Sequence, residues 1–165
     1  MPMMKTMPQT SRAQRFDSLE QEAFLNLWRT YDRLRAFEDE LFAEFDLTPQ
    51  QYNVLRLLKA LHPELLPTLA IAERLVSRAP DITRMLDKLE QRGLIRRDRS
   101  ANDRRSVLIG ITAAGLALLT QIAEPLRLCH EKQLGHLTQA ALKKLVALLQ
   151  EARGPHETGE SSWLS

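Results

Sequence analysis

Apolar residues recur along most of this chain at the 3.6-residue period of an amphipathic helix, and once, past the middle, at the two-residue period of a strand. Phe24, Leu27, Trp28, Tyr31, Leu34, Leu41, Phe42 and Phe45 share one broad face and predict a long first helix, with Ser18 placed to cap it. Thr48 and Gln51 have the capping-box spacing and Pro49 takes the first helical position, so a second helix begins there. Leu47 and Tyr52 are spaced as a hydrophobic staple. Val54, Leu55, Leu58 and Leu61 carry that helix to His62-Pro63, where proline ends it. Residues 63–67 read as a loop, and Thr68 as the cap of a short helix over 69–75. Ile82, Met85, Leu86 and Leu89 then repeat at i, i+3, i+4 and i+7, a helix over about 79–92. Gly93 stands where a left-handed residue would stop it.

The pattern changes after Gly93. Leu94-Ile95 and the following arginines lead into Ser100-Ala101-Asn102-Asp103, a cluster of turn formers. Val107, Ile109 and Ile111 alternate with Ser106, Leu108 and Gly110, the period of a half-buried strand, so residues 94–111 predict a two-stranded hairpin. Thr112 can cap a helix to about Leu137, with Leu116, Leu119, Ile122, Ala123, Leu126 and Cys129 as its seam and Pro125 as a kink. Thr138 caps a last helix in which Leu142, Leu145, Val146 and Leu149 repeat, and Gly154-Pro155 ends it. Residues 1–15 read as a flexible arm and 154–165 as a disordered tail.

These elements define a mainly α fold with a small β-wing. A winged helix-turn-helix (47–112) is flanked by N- and C-terminal dimerisation helices (16–46 and 113–153). The flanking helices carry more apolar surface than the small winged unit can cover, and a two-fold dimer with interdigitating terminal helices is the economical solution.

Charge sharpens this picture. The net charge is only +2, but residues 74–105 hold ten Lys/Arg against five Asp/Glu, while the rest of the chain is mildly acidic. A solvated basic loop is the bland reading. Placed on a helix and hairpin, the same charge is the footprint of a phosphate-binding face. Opposite the apolar stripe of the 79–92 helix lie Pro80, Arg84, Asp87 and Gln91, with Thr83 and Lys88 on its flanks. A helix anchored by one face and showing Thr and Arg near its N-terminal end suits the reading of base edges. Arg78, Arg97, Arg99, Arg104 and Arg105 complete the candidate double-stranded DNA contacts.

Other classes fit poorly. No apolar run approaches the ~18 residues that span a bilayer, and the Met-rich start lacks a signal-peptide core. One cysteine makes no internal disulfide, which fits a reducing cytoplasm. No GxGxxG, P-loop or GxSxG occurs, so neither an enzyme nor a cofactor is expected. His130 and His136 are too far apart on a helix to chelate one metal, and packing is the better role for Cys129 than oxidant sensing. The competing reading is a winged-helix module that binds protein without sequence-specific DNA binding. Such modules carry neutral or acidic third helices and wings, unlike the five arginines here.

Three stretches resemble the MarR family of bacterial transcription regulators: LTPQQYNVLRLL, then LAIAERL followed by DITRMLDKLEQRGLIRR, then NDRRSVLIGITAAG. The resemblance covers residues 16–153, and its specificity lies in the order and spacing of the pieces. It implies a cytoplasmic, nucleoid-associated homodimer on a pseudo-palindromic operator, commonly a repressor of nearby genes. Thr83 and Arg84 match the family's recognition-helix contacts. Arg104 and Arg105 match its wing motif, in which an arginine enters the minor groove and Asp103 holds a wing arginine by an ion pair. Members often bind small aromatic or phenolic ligands between the dimerisation helices and the winged unit. Trp28, Tyr31, Arg35 and Tyr52 are the expected lining here, although each also fits a plain core stripe. The loop at 63–67 looks longer than in the commonest members.

Overall fold

The computed structural model describes residues 16–76, 81–103 and 106–157. The expected arm at 1–15, the candidate contacts Arg78, Pro80, Arg104 and Arg105, and residues 158–165 of the expected tail lie outside the described residues. The chain packs as two compact units, one reaching Ala36 and one starting at Phe37.

The first unit holds most of α1 (Leu19–Glu44). The Ser18 hydroxyl accepts from the Gln21 amide at 3.1 Å, the cap its position implied. Leu19, Phe24, Leu27, Trp28 and Tyr31 are all exposed, and the Phe24 and Trp28 rings meet at a tilt, 6.2 Å between centroids. An apolar face of this width left in water is what an interaction surface looks like in an isolated chain.

The second unit contains the last turns of α1, then α2 (Pro49–Leu61), β1 (Leu66–Pro67), α3 (Thr68–Arg74), α4 (Ile82–Gln91), β2 (Ile95–Arg99), β3 (Val107–Ile111), α5 (Ala113–Leu134) and α6 (Gln139–Arg153). α2 begins with the full capping box: the Gln51 amide donates to Thr48 Oγ1 at 3.2 Å and the Thr48 amide to Gln51 Oε1 at 2.9 Å. Tyr52, expected beside Leu47, stacks on Phe42 with centroids 4.7 Å apart. Val54, Leu55, Leu57 and Leu58 of α2 share a core with Ile71 of α3, Leu86 and Leu89 of α4, Ile95, Ile109 and Ile111 of the sheet, and Leu119, Ile122 and Leu126 of α5. Thus α5 packs into the same core as the winged elements. α6 has no buried residue among those described, and Val146 and Leu148 face solvent.

Four local readings are corrected. Thr68 is the first residue of α3, not its cap; Pro67 precedes the helix and makes no side-chain cap bond. The expected loop at 63–67 ends in a strand: Leu66 and Pro67 pair antiparallel with Ile109 and Leu108, making a three-stranded sheet in the order β1-β3-β2. Two residues carry too little pattern to announce a strand, and only a partner from residues 107–111 creates it. The alternation in β3 also breaks. Val107 is exposed while Ile109, Gly110 and Ile111 are all buried; Gly110 is covered by the Leu65 side chain, which stands where a Cβ would be. Finally, α5 stops at Leu134, with the Gly135 amide bonding to Glu131 O at 2.8 Å, a turn short of the expected end; Pro125 sits within the continuous helix.

Two glycines set how the wing leaves the helix. Gly93 takes φ 69°, the left-handed end of α4 that only glycine adopts freely. At Gly115 a Cβ would collide with the Leu94 carbonyl, so glycine lets the start of α5 approach the start of β2. Thr112 joins these pieces: its Oγ1 donates to Gly93 O at 2.6 Å and accepts from the Gly115 amide at 3.1 Å.

Candidate nucleic-acid interface

α4 is held by one face and bare on the other. Leu86 and Leu89 are buried, Ile82 and Met85 half-buried, and Thr83, Arg84, Lys88 and Gln91 exposed. Asp81 caps the helix, accepting from the Arg84 amide at 3.4 Å. The Arg84 guanidinium lies 3.6 Å from the same carboxylate, yet its side chain remains 76% exposed. So weak and solvated a pair leaves the guanidinium available to a stronger acceptor such as a phosphate or a guanine edge.

The wing is β2 and β3, antiparallel in the register Ile95↔Ile111, Arg97↔Ile109 and Arg99↔Val107. Its tip closes through the Ser100 amide to Ser106 O and the Ser106 amide to Asp103 O, each 3.0 Å. The Asp103 amide is 3.4 Å from Ser100 Oγ. The ion pair expected from Asp103 to Arg104 or Arg105 involves residues outside the described set. Arg99 is exposed at the end of β2.

Arg97 behaves differently from its neighbours. Its guanidinium reaches Asp87 Oδ1 at 2.7 Å and Glu90 Oε2 at 2.5 Å, both on α4, and its side chain is only 24% exposed. Partial burial by itself would lower the pKa of this group, but hydrogen bonds to Asp87 and Glu90 outweigh it and raise the value above that of an ordinary arginine. Arg96 pairs instead along its own strand, with Asp98 at 2.7 Å.

Asp87, Glu90 and Arg92 acquire their roles only in the folded chain. Arg92 donates to the backbone carbonyls of Asp46 and Phe45, fastening the end of α4 to the turn after α1. Asp87 and Glu90 are three residues apart on α4, and which strand arginine meets them is decided by the fold.

The proposed ligand-pocket residues divide between the units. Trp28, Tyr31 and Arg35 share one exposed face of α1 in the first, at i, i+3 and i+7. Tyr52 lies half-buried on Phe42 in the second, and burial, the largest influence on it, raises its phenol pKa. Cys129 is buried on α5. No group of three or more His, Cys, Asp or Glu suited to a metal ion occurs among the described residues, and no described helix is long and apolar enough to cross a membrane.

A helix-turn-helix followed by a two-stranded wing defines a winged-helix protein. Residues 47–107 match the sequence model of the MarR family. The structure is similar to that of a MarR transcription factor from Planctomyces limnophilus, with 55% identity over 82% of this chain and 98% of that one and a TM-score of 0.66. The transcriptional regulator PecS of Dickeya dadantii is 32% identical over 87 residues, 52% of each chain, so the match spans about half of that relative. A mutant MarR from E. coli complexed with operator DNA shares the fold, with 23% identity over 82% of this chain and 98% of that one and a TM-score of 0.72. This chain belongs to the MarR family of winged-helix transcription regulators.

Proposed function

We propose that this chain acts in the cytoplasm as a homodimeric repressor on a pseudo-palindromic operator, and that a small aromatic or phenolic ligand modulates its binding. The observation that carries the reading is the two-faced α4: Leu86 and Leu89 anchor it while Thr83, Arg84 and Lys88 are exposed to solvent. In this reading α4 enters the major groove, Thr83 and Arg84 meet base edges, and Lys88 and Arg99 take phosphates. Arg78 and Pro80, which precede α4 in the sequence, and Arg104 and Arg105, which follow Asp103, would add contacts to the backbone and the adjacent minor groove. The exposed apolar faces of α1 and α6 support the dimer, which would set two recognition helices about 34 Å apart. Trp28, Tyr31 and Arg35 on one exposed face of α1 would take the ligand, with rings to stack and a guanidinium for a carboxylate. The operator-bound state of the E. coli relative supports the same reading.

The test is a titration of purified protein against the DNA upstream of its own gene and against an unrelated fragment, at two salt concentrations. Selective binding that weakens steeply with salt, by a species sedimenting as a dimer, is the expected result. No binding at low salt would overturn it.

A further inference from the structure

Arg97 lies in the most basic stretch of the chain, yet its guanidinium faces α4 rather than solvent. It forks onto two carboxylates of the recognition helix, Asp87 at 2.7 Å and Glu90 at 2.5 Å, from the strand that carries the wing. On β2 its neighbours are differently placed: Arg96 pairs with Asp98 on the same strand, and Arg99 is exposed. Arg97 is therefore the described β2 arginine shown bridging to α4.

We infer that Arg97 is a positioning residue: by clamping Asp87 and Glu90 it sets the wing against the recognition helix, and it is not itself a phosphate contact.

The reasons are geometric and electrostatic. Between Leu89 and Ile95 the chain turns through Gly93 in a left-handed conformation, and a short reversal of that kind fixes the hairpin's angle only loosely by itself. The Leu94 amide bond to Leu89 O at 3.0 Å holds the turn from inside. Arg97 holds it from outside, beyond the turn, where a small angular error would be magnified along the hairpin. The planar guanidinium suits this work because it can satisfy two carboxylates at once in a fixed plane, which an ammonium on a flexible stem does not. The clamp also occupies two carboxylates that would otherwise repel a nearby phosphate backbone. A groove-reading helix and a minor-groove wing must meet one duplex together, so their mutual angle bears directly on operator selectivity.

This inference rests on the DNA-binding reading above, and three measurements separate the two. Arg97→Lys keeps the charge. Lysine serves well as a phosphate contact, so a phosphate role predicts near-normal binding, whereas the clamp predicts roughly tenfold weaker operator binding with little change on unrelated DNA. Glu90→Ala supplies an opposite-sign test. If only charge mattered, removing a carboxylate near the duplex would tighten binding; the clamp predicts weaker operator binding. Hydrogen exchange in the DNA-free protein gives the third readout, with faster exchange at the wing amides of both variants and unchanged exchange in the α2 core amides expected.

Near-normal operator binding by Arg97→Lys, or tighter binding by Glu90→Ala, would overturn the clamp. If the wild-type protein binds no DNA, the DNA-binding reading fails by itself. The clamp is then decided by exchange alone, and unchanged wing exchange would overturn it.

Discussion

Arg92, the residue that closes α4, donates its guanidinium to the backbone carbonyl of Asp46 and, at 3.1 Å, to that of Phe45. Asp46 takes a left-handed φ of 52° as the chain leaves α1. One long side chain thus ties the C-terminal end of the recognition helix to the α1–α2 turn, 46 residues earlier in sequence.

Replacing Arg92 by Ala should therefore destabilise the fold. Hydrogen bonds from a charged donor typically contribute about 1.5–3 kcal/mol, and the partial exposure of Arg92 reduces this to about 1–2 kcal/mol. Urea unfolding measures it. A change within experimental error would show that the turn holds without Arg92.

Arg84→Ala should leave stability nearly unchanged, because the side chain is mostly exposed and its pair with Asp81 is weak. Under the proposed function it should weaken operator binding by about 1–3 kcal/mol, with a smaller loss on random DNA. Equal losses on both would reduce Arg84 to a phosphate contact, visible also as a salt slope shallower by about one.

Cys129 gives a prediction about pH. Burial first, and then the negative charge of Glu38, raise its thiol pKa, against a smaller opposing effect from Lys132. A group whose pKa is raised on folding contributes stability that is intact below its unfolded value, about 8.5, and lost as pH climbs toward the folded value. Unfolding free energy should therefore fall, as pH rises above about 8.5, by more in the wild type than in Cys129→Ser. Tyr52, whose phenol pKa is also raised, begins to contribute only above about pH 10. At neutral pH alkylation of Cys129 should be slow beside a free thiol. Rapid alkylation there would contradict the burial argument.

What the sequence determined by itself was local. The capping box at Thr48 and Gln51, the caps at Ser18, Thr112 and Thr138, and the left-handed Gly93 all rest on hydrogen bonds or dihedrals within a few residues, so their chemistry is complete in the sequence. The helical stripe of α4 was legible for the same reason, and with it the exposure of Thr83, Arg84 and Lys88 on the other face. Tertiary structure decided what needs a distant partner. Leu66 and Pro67 become a strand because β3 offers its edge, and Gly110 is buried because Leu65 covers it. Arg97 illustrates the division most clearly. In sequence it is one of a run of arginines, equal to its neighbours, and only the turn at Gly93 brings its strand alongside α4, within reach of Asp87 and Glu90. An arginine's charge is written in the chain, but its nearest carboxylate is chosen by the fold, since ion pairs act through space and not along the backbone.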